Sequence, residues 1–264
     1  MTKVLNALFL GDIFGQPGSR AVFLGLKGIV KRFRSDFIVA NGENIAEGFG
    51  ITPELAETLF SQGINVITTG NHVWQKREVW ETLNTRDNLL RPANYPPGVP
   101  GKGVCTFAVK NTKITVINLQ GRQKMSDLDC PLRIGKDLVK KARQITRNIF
   151  IDFHAEATEE KETLGFYLDG LVTAVVGTHT HVQTADSRIL PKGTAYITDL
   201  GMTGPKRSVI GVNTEIAIQR SLTQMPLKME PADSEASLCG VSITFDSDTG
   251  RAVSIEPFQE ELQV

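Results

Sequence analysis

The amino-acid sequence predicts an α/β fold, and three observations carry the prediction. Short apolar runs rich in β-branched residues alternate along the chain with longer segments of helical period. Five of those runs end on Asp, Asn, Gly or His, which lets the chain leave a strand through a polar loop. The length, 264 residues of ordinary globular composition, suffices for one large domain, 1–264, with a substantial core.

Val4 to Gly11 reads as the first strand and stops at Asp12. Gly15, Pro17 and Gly18 read as a loop before an amphipathic helix from about Ser19 to Phe33. Their spacing does not match a dinucleotide-binding glycine motif. Phe37 to Ala40 is a second strand opening into Asn41-Gly42-Glu43-Asn44. Thr52-Pro53-Glu54 combines a capping hydroxyl, a proline at the first helical position and an early acid, and Gly63 closes that helix. Val66 to Thr69 delivers Gly70-Asn71-His72, a helix follows over about Glu78 to Leu83, and the prolines of 91–97 impose irregular backbone. Val104 to Lys110 and Lys113 to Leu119 form a hairpin across Asn111-Thr112, and a basic helix follows from about Leu132 to Ile145. Asn148 to Phe153 is a strand ending at His154, and a helix spans about Thr158 to Leu168. The run from Leu171 to Val176 leads through Gly177 to His179 and His181. Thr194 to Leu200 is strand-like, Gly201 to Pro205 reads as a flexible loop, and the tail forms a hairpin turning at Asp248-Thr249-Gly250.

Acidic and basic residues number 29 each, so no bulk field draws in nucleic acid or membrane. No apolar stretch reaches the length of a membrane span, and Met1-Thr2-Lys3 leads straight into a strand-like run with no signal peptide, so a cytoplasmic location is expected. Three widely spaced cysteines argue against a disulfide framework and against a thiolate metal site.

The chain has only four histidines, and all of them follow strand-like runs. Five strand ends carry Asp12, Glu43 with Asn44, Asn71 with His72, His154, and His179 with His181. Ligands of open α/β sheets collect beyond the carboxyl ends of strands, so these five ends can build one site. Oxygen and imidazole donors without sulfur suit Mn²⁺, Fe or Zn²⁺. The donors outnumber one tetrahedral sphere. Two ions about 3.5–4 Å apart, bridged by a carboxylate and a hydroxide, would use them and favour in-line displacement at phosphorus. Taken singly, each residue has a plainer reading: Asp12 as a helix cap, Asn44 and Asn71 as turn residues, His154 as a satisfied interior histidine. Arg91, Asn94, Gln120 and Arg122 either tie loops together or touch substrate, Arg being suited to phosphate.

Gly70-Asn71-His72, the lone His154, and Gly177-Thr178-His179-Thr180-His181 resemble the motif blocks of the calcineurin-like metallophosphoesterases. More closely, Asn41 to Asn44, Leu90 to Asn94, Asn118 to Arg122, Asp152 to Ala157 and Gly177 to Thr184 resemble the bacterial YmdB-type phosphodiesterases over nearly the whole chain. The resemblance implies a β-sandwich flanked by helices and hydrolysis of 2′,3′-cyclic nucleotides and other phosphodiesters. It implies that Glu43 bridges two metal ions, that Asp12, Asn44 and His181 complete one site and Asn71, His154 and His179 the other, and that His72 is the general acid. The wider superfamily has a histidine where Phe14 stands and a carboxylate where Val73 stands; the YmdB-type branch departs in the same way.

The expected function is therefore a dinuclear-metal phosphodiesterase on a small nucleotide substrate, with a link to RNA and homo-oligomerisation as further expectations. The rivals are a mononuclear metal hydrolase on a (β/α)₈ barrel and a regulatory or RNA-associated protein that keeps its metals without turnover.

Overall fold

The computed structural model describes residues 4–262; Met1, Thr2 and Lys3, read above as a direct lead into the first strand, lie outside them. The first half contains β1 (Val4–Leu10), β2 (Asp12–Ile13), α1 (Gly15–Phe33), β3 (Phe37–Asn41), α2 (Pro53–Ser61), β4 (Val66–Thr68), α3 (Val79–Thr85) and β5 (Leu89–Leu90). Then come β6 (Val104–Val109), β7 (Thr112–Gln120), α4 (Pro131–Ala142), β8 (Ile149–His154), α5 (Thr158–Tyr167), β9 (Ala174–Thr178), β10 (Arg188–Ile189) and β11 (Ala195–Ile197). The chain closes with β12 (Met202–Pro205), α6 (Thr214–Thr223), β13 (Ala236–Asp246) and β14 (Ala252–Leu262). No helix is long and apolar enough to cross a membrane among the described residues.

Two open sheets result. One runs β2-β12-β13-β1-β3-β4-β5 with β14 on β13, and the other runs β10-β11-β9-β8-β7-β6. β1, β3, β4 and β5 are parallel neighbours, as are β7, β8, β9 and β11, so the carboxyl ends of each set open at one edge of their sheet. This excludes the barrel.

Period-two alternation packs the sheets face to face. Leu5, Ala7 and Phe9 of β1, Phe37 and Val39 of β3, and Val241, Ile243 and Phe245 of β13 share one core with Val116, Phe150 and Val176 of the other sheet. The alternate residues Leu8, Leu10, Ile38 and Ile67 turn outward and bury the apolar faces of α1, α2 and α3. On the far side Ile117, Leu119, Ile151 and Phe153 pack with Val139 of α4 and Leu164 of α5. The helix-flanked sandwich is thus the α/β architecture that the resemblance implied.

Several elements differ from expectation. α1 begins at Gly15, so Gly15, Pro17 and Gly18 belong to the helix and not to a preceding loop. Gly18 permits close approach: a Cβ there would strike the Thr203 carbonyl of β12. Gly201 to Pro205 is not a free loop, because Met202 and Thr203 pair with Asp12 and Ile13 and Gly204 with Ser237. The first hairpin turns at Lys110-Asn111, both left-handed at φ 46° and 67°, one residue earlier than read. α6, capped by the Asn213 side chain, has no buried residue, so no apolar stripe marks it in the sequence.

Candidate metal centre

The alternation that builds the core also builds the site. Continuing the inward parity toward the strand ends gives Asn41 on β3, Thr68 on β4, Asp152 and His154 on β8 and Thr178 on β9, all buried. Here the apolar filling between the sheets gives way to a polar layer. The Thr178 hydroxyl donates to Asp152 Oδ1 at 2.7 Å and the Thr68 hydroxyl donates to Oδ2. Burial pushes the Asp152 carboxyl up to about 7, against the pull of those two hydroxyls. Thr178 Oγ1 also lies 3.0 Å from His154 Nδ1. With its one proton committed to Asp152, that oxygen accepts from Nδ1–H, so His154 presents a lone pair at Nε2.

Three acceptor atoms surround that Nε2: Glu43 Oε1, Asn71 Oδ1 and His179 Nδ1, each at 3.0 Å. The other nitrogen of His179 lies 3.3 Å from Glu156 Oε2, so Nδ1 is the nitrogen turned toward His154. Burial holds both His154 and His179 down at about 4, so both are neutral imidazoles at physiological pH. Carboxylate, amide and imidazole atoms gathered this closely suit a cation, and those of Glu43, His154 and His179 lie within 4.8 Å of one another.

Beside this group stands a second. Asn44 Nδ2 is 3.1 Å from His181 Nε2 and 3.4 Å from Glu43 Oε1, and His181 Nε2 is 3.9 Å from Asp12 Oδ1. His181 Nδ1 donates to the Ile210 carbonyl at 2.8 Å, so its Nε2 is the nitrogen turned toward the site. Asp12 is fully buried; its Oδ2 accepts the His179 amide at 3.0 Å, while Oδ1 has no hydrogen-bond partner among the described residues. Burial raises the Asp12 carboxyl, with His181 and His154 opposing the rise. An orphaned carboxylate oxygen facing two imidazoles fits a metal ligand. Glu43, wholly buried, stands between the two groups. Phe14 packs edge-on against His181 at 5.5 Å, so the second group has a hydrophobic wall.

His72 lacks the adjacent carboxylate of the wider superfamily, and the structure shows what orients it instead. Its Nδ1 is 2.7 Å from Asn44 Oδ1 and 3.4 Å from Glu43 Oε1, its amide donates to Glu43 Oε2 at 3.1 Å, and its ring meets Phe49 edge-on at 4.9 Å. Burial lowers its pKa and Glu43 opposes that. His72 lines a cavity of about 390 Å³ shared with Glu43, Asn44, His179 and His181, and Nε2 is the nitrogen a ligand there can reach. As placed, Asn44 Oδ1 faces His72; turned over, the amide would offer Oδ1 toward His181 and an N–H to His72 Nδ1.

The loop bearing His179 and His181 is strained, with φ of 106° and 66°. Non-glycine residues in that region cost of order 1–3 kcal/mol each, and the surroundings must hold them there. Asp199 does so: its Oδ2 accepts the Thr180 amide at 3.0 Å and pairs with Lys161 Nζ at 2.7 Å, and its Oδ1 accepts the Gly201 amide at 2.9 Å.

The four candidate substrate contacts lie elsewhere. Arg91 donates to the Pro100 and Pro92 carbonyls. Asn94 is buried and saturated by the Gln120 and Asp129 carbonyls and the Gln120 amide. Gln120 is buried with Nε2 unpartnered, and Arg122 is exposed with its amide on Glu160. None of them lines the 390 Å³ cavity.

Gly70 leaves no room for a side chain, since a Cβ there would fall on the His154 imidazole and Glu43 Oε2. Gly70→Ala is expected to lower metal content below that of the parent after identical Mn²⁺ loading. Equal content by elemental analysis would show that the site yields to the methyl group.

A family model described as YmdB-like protein matches residues 8–258. The chain belongs to the YmdB-like family. A Bacillus subtilis (strain 168) member named 2′,3′-cyclic-nucleotide 2′-phosphodiesterase is 46% identical over 252 residues, 96% of each protein. Among solved structures, a hypothetical protein from Thermus thermophilus superposes with a TM-score of 0.92 at 40% identity, over 97% of this chain and 99% of the other. A Mycoplasma pneumoniae protein described as a novel phosphatase gives 0.93 at 34% identity, over 99% and 95%. The NAD nucleotidase of Haemophilus influenzae, at 14% identity and a TM-score of 0.61, shares the fold over 57% of its own length. Together these place the family's two-sheet core among phosphatase and nucleotidase folds.

Proposed function

We propose that this chain, acting as one domain, is a dinuclear metal-dependent phosphodiesterase that opens 2′,3′-cyclic nucleotides and related diesters in the cytoplasm. The observation that carries the reading is the convergence of carboxylate, amide and imidazole side chains in two groups that share Glu43. The name of the Bacillus subtilis relative supports the substrate class.

Asn71, His154 and His179 would hold one ion, Asp12, Asn44 and His181 the other, and Glu43 both. Fe or Mn suits the mixture of oxygen and imidazole donors, and Zn is compatible. Such ions supply charge neutralisation at phosphorus and lower the pKa of water. The protein's own part is positional and acid–base. Thr178 and Asp152 hold His154 in the tautomer that exposes a lone pair at Nε2, and Glu156 lies beside the outer nitrogen of His179. With the Asn44 amide turned over so that its N–H meets Nδ1, the neutral His72 ring would carry its proton on Nε2 and give it to the departing ribose oxygen. The neutral amides of Asn44 and Asn71 keep the centre from accumulating negative charge, which suits a singly charged diester.

Protein repleted with Mn²⁺ is expected to carry two ions per chain by elemental analysis and to hydrolyse 2′,3′-cyclic AMP in a manner abolished by chelator and restored by metal. One ion or fewer would overturn the dinuclear reading, and turnover that survives chelation would overturn metal dependence.

A further inference from the structure

The cavity over the candidate metal centre is lined by both polar and apolar side chains. Beside Glu43, Asn44, His72, His179 and His181 it is lined by Phe14, Phe49, Ile210, Val212 and Met229. Phe14 is buried against His181, whereas Phe49 is only half-buried, so its ring is the aromatic surface a ligand can cover.

Phe49 is held firmly. Its loop runs through three left-handed residues, Glu47, Gly48 and Gly50 at φ 57°, 90° and 82°. The Gly48 amide donates to the Asn44 carbonyl, the Phe49 amide to the Ala46 carbonyl and the Ala46 amide to the Gly50 carbonyl, each at 3.0 Å. The loop is therefore anchored to Asn44 of the candidate metal centre, and the ring stands 4.9 Å from the His72 ring.

The proposed function fixes what lies beside His72. The leaving oxygen must be within reach of the proton that His72 supplies. In a 2′,3′-cyclic phosphate the leaving and retained oxygens belong to the same ribose, so the sugar and its base travel with the leaving oxygen. We propose that Phe49 is the wall of a subsite for the nucleoside of the cyclic substrate, packing against its base, and therefore a specificity-determining residue that favours base-bearing diesters. This rests on the reading of the site as a phosphodiesterase.

The test compares 2′,3′-cyclic AMP with the 2,3-cyclic phosphate of methyl riboside, which keeps the reacting ring and lacks the base. Base–aromatic stacking contributes about 1–3 kcal/mol, or roughly five- to 150-fold. In Phe49→Ala the ratio of kcat/KM for the two substrates is expected to fall by about that factor, with the loss for cyclic AMP appearing in KM. Phe49→Leu, which retains bulk beside His72, should show the same direction with a smaller change. The Kd of adenosine 3′-phosphate, measured by calorimetry on Mn²⁺-loaded protein, should weaken in parallel. An unchanged ratio would overturn the proposal, since a ring that acts only by positioning His72 affects both substrates alike. A parent protein that hydrolyses neither diester would overturn the phosphodiesterase reading itself, whereas one that hydrolyses both while Phe49→Ala keeps the ratio would overturn the subsite alone.

Discussion

Lys161→Met is expected to destabilise the metal-free protein by about 3–5 kcal/mol, the usual consequence of stranding one half of a buried ion pair. Lys161 is 1% exposed and Asp199 not at all, and their 2.7 Å contact lies inside the protein. Removing the ammonium leaves a carboxylate that still accepts two backbone amides but has lost its counter-charge. The cost should fall partly on the loop that Asp199 restrains through Thr180, between His179 and His181. Urea unfolding of the two proteins measures the difference. The double variant Lys161→Met/Asp199→Asn should recover part of the loss, because it removes the stranded charge. A loss below about 1 kcal/mol in the single variant would mean that water or another cation reaches Asp199.

For His72→Ala the expected result is a kcat lower by about 10²–10⁴-fold at unchanged metal content, the range typical of general acid–base groups. His72 makes its side-chain contacts to Asn44 and Glu43 through Nδ1, and its Nε2 is left for the cavity. The penalty should shrink for a nitrophenyl diester, whose leaving group departs without a proton. Loss of a metal ion in His72→Ala would show that the imidazole is a ligand.

The sequence revealed the strand ends but not what lies beneath them. His154, His179, His181, Asn71 and Glu43 stand out because each lies within a few residues of the end of an apolar run. Asp152 is hidden within a run read as strand interior and Thr178 in the turn after Gly177, although His154 gives a signal for Asp152: a residue two positions back on the same strand shares its face. Asn41 and Thr68 follow the same rule on their own strands. Lys161 sits in Glu159-Glu160-Lys161-Glu162, which reads as a solvated helical surface, and only the docking of α5 on β9 buries it. α6 escaped because it presents no apolar face to the core, and β12 because glycine and proline mark turns more often than paired edge strands. The sandwich itself was legible through family resemblance. Periodicity alone specified most of the elements and left the pairing of two separate sheets open.

Asp12, Glu43 and Asn71 extend from one sheet, and His154, His179 and His181 from the other. Ions held by both sets would rivet the two layers together at one edge, where polar side chains replace apolar filling. Ligation that requires both layers in place is linked to folding, and each ion at a thousand times its Kd would add about 4.1 kcal/mol. The unfolding temperature of this protein would then track free metal in the surrounding solution, making the seam between its sheets a thermometer for metal supply.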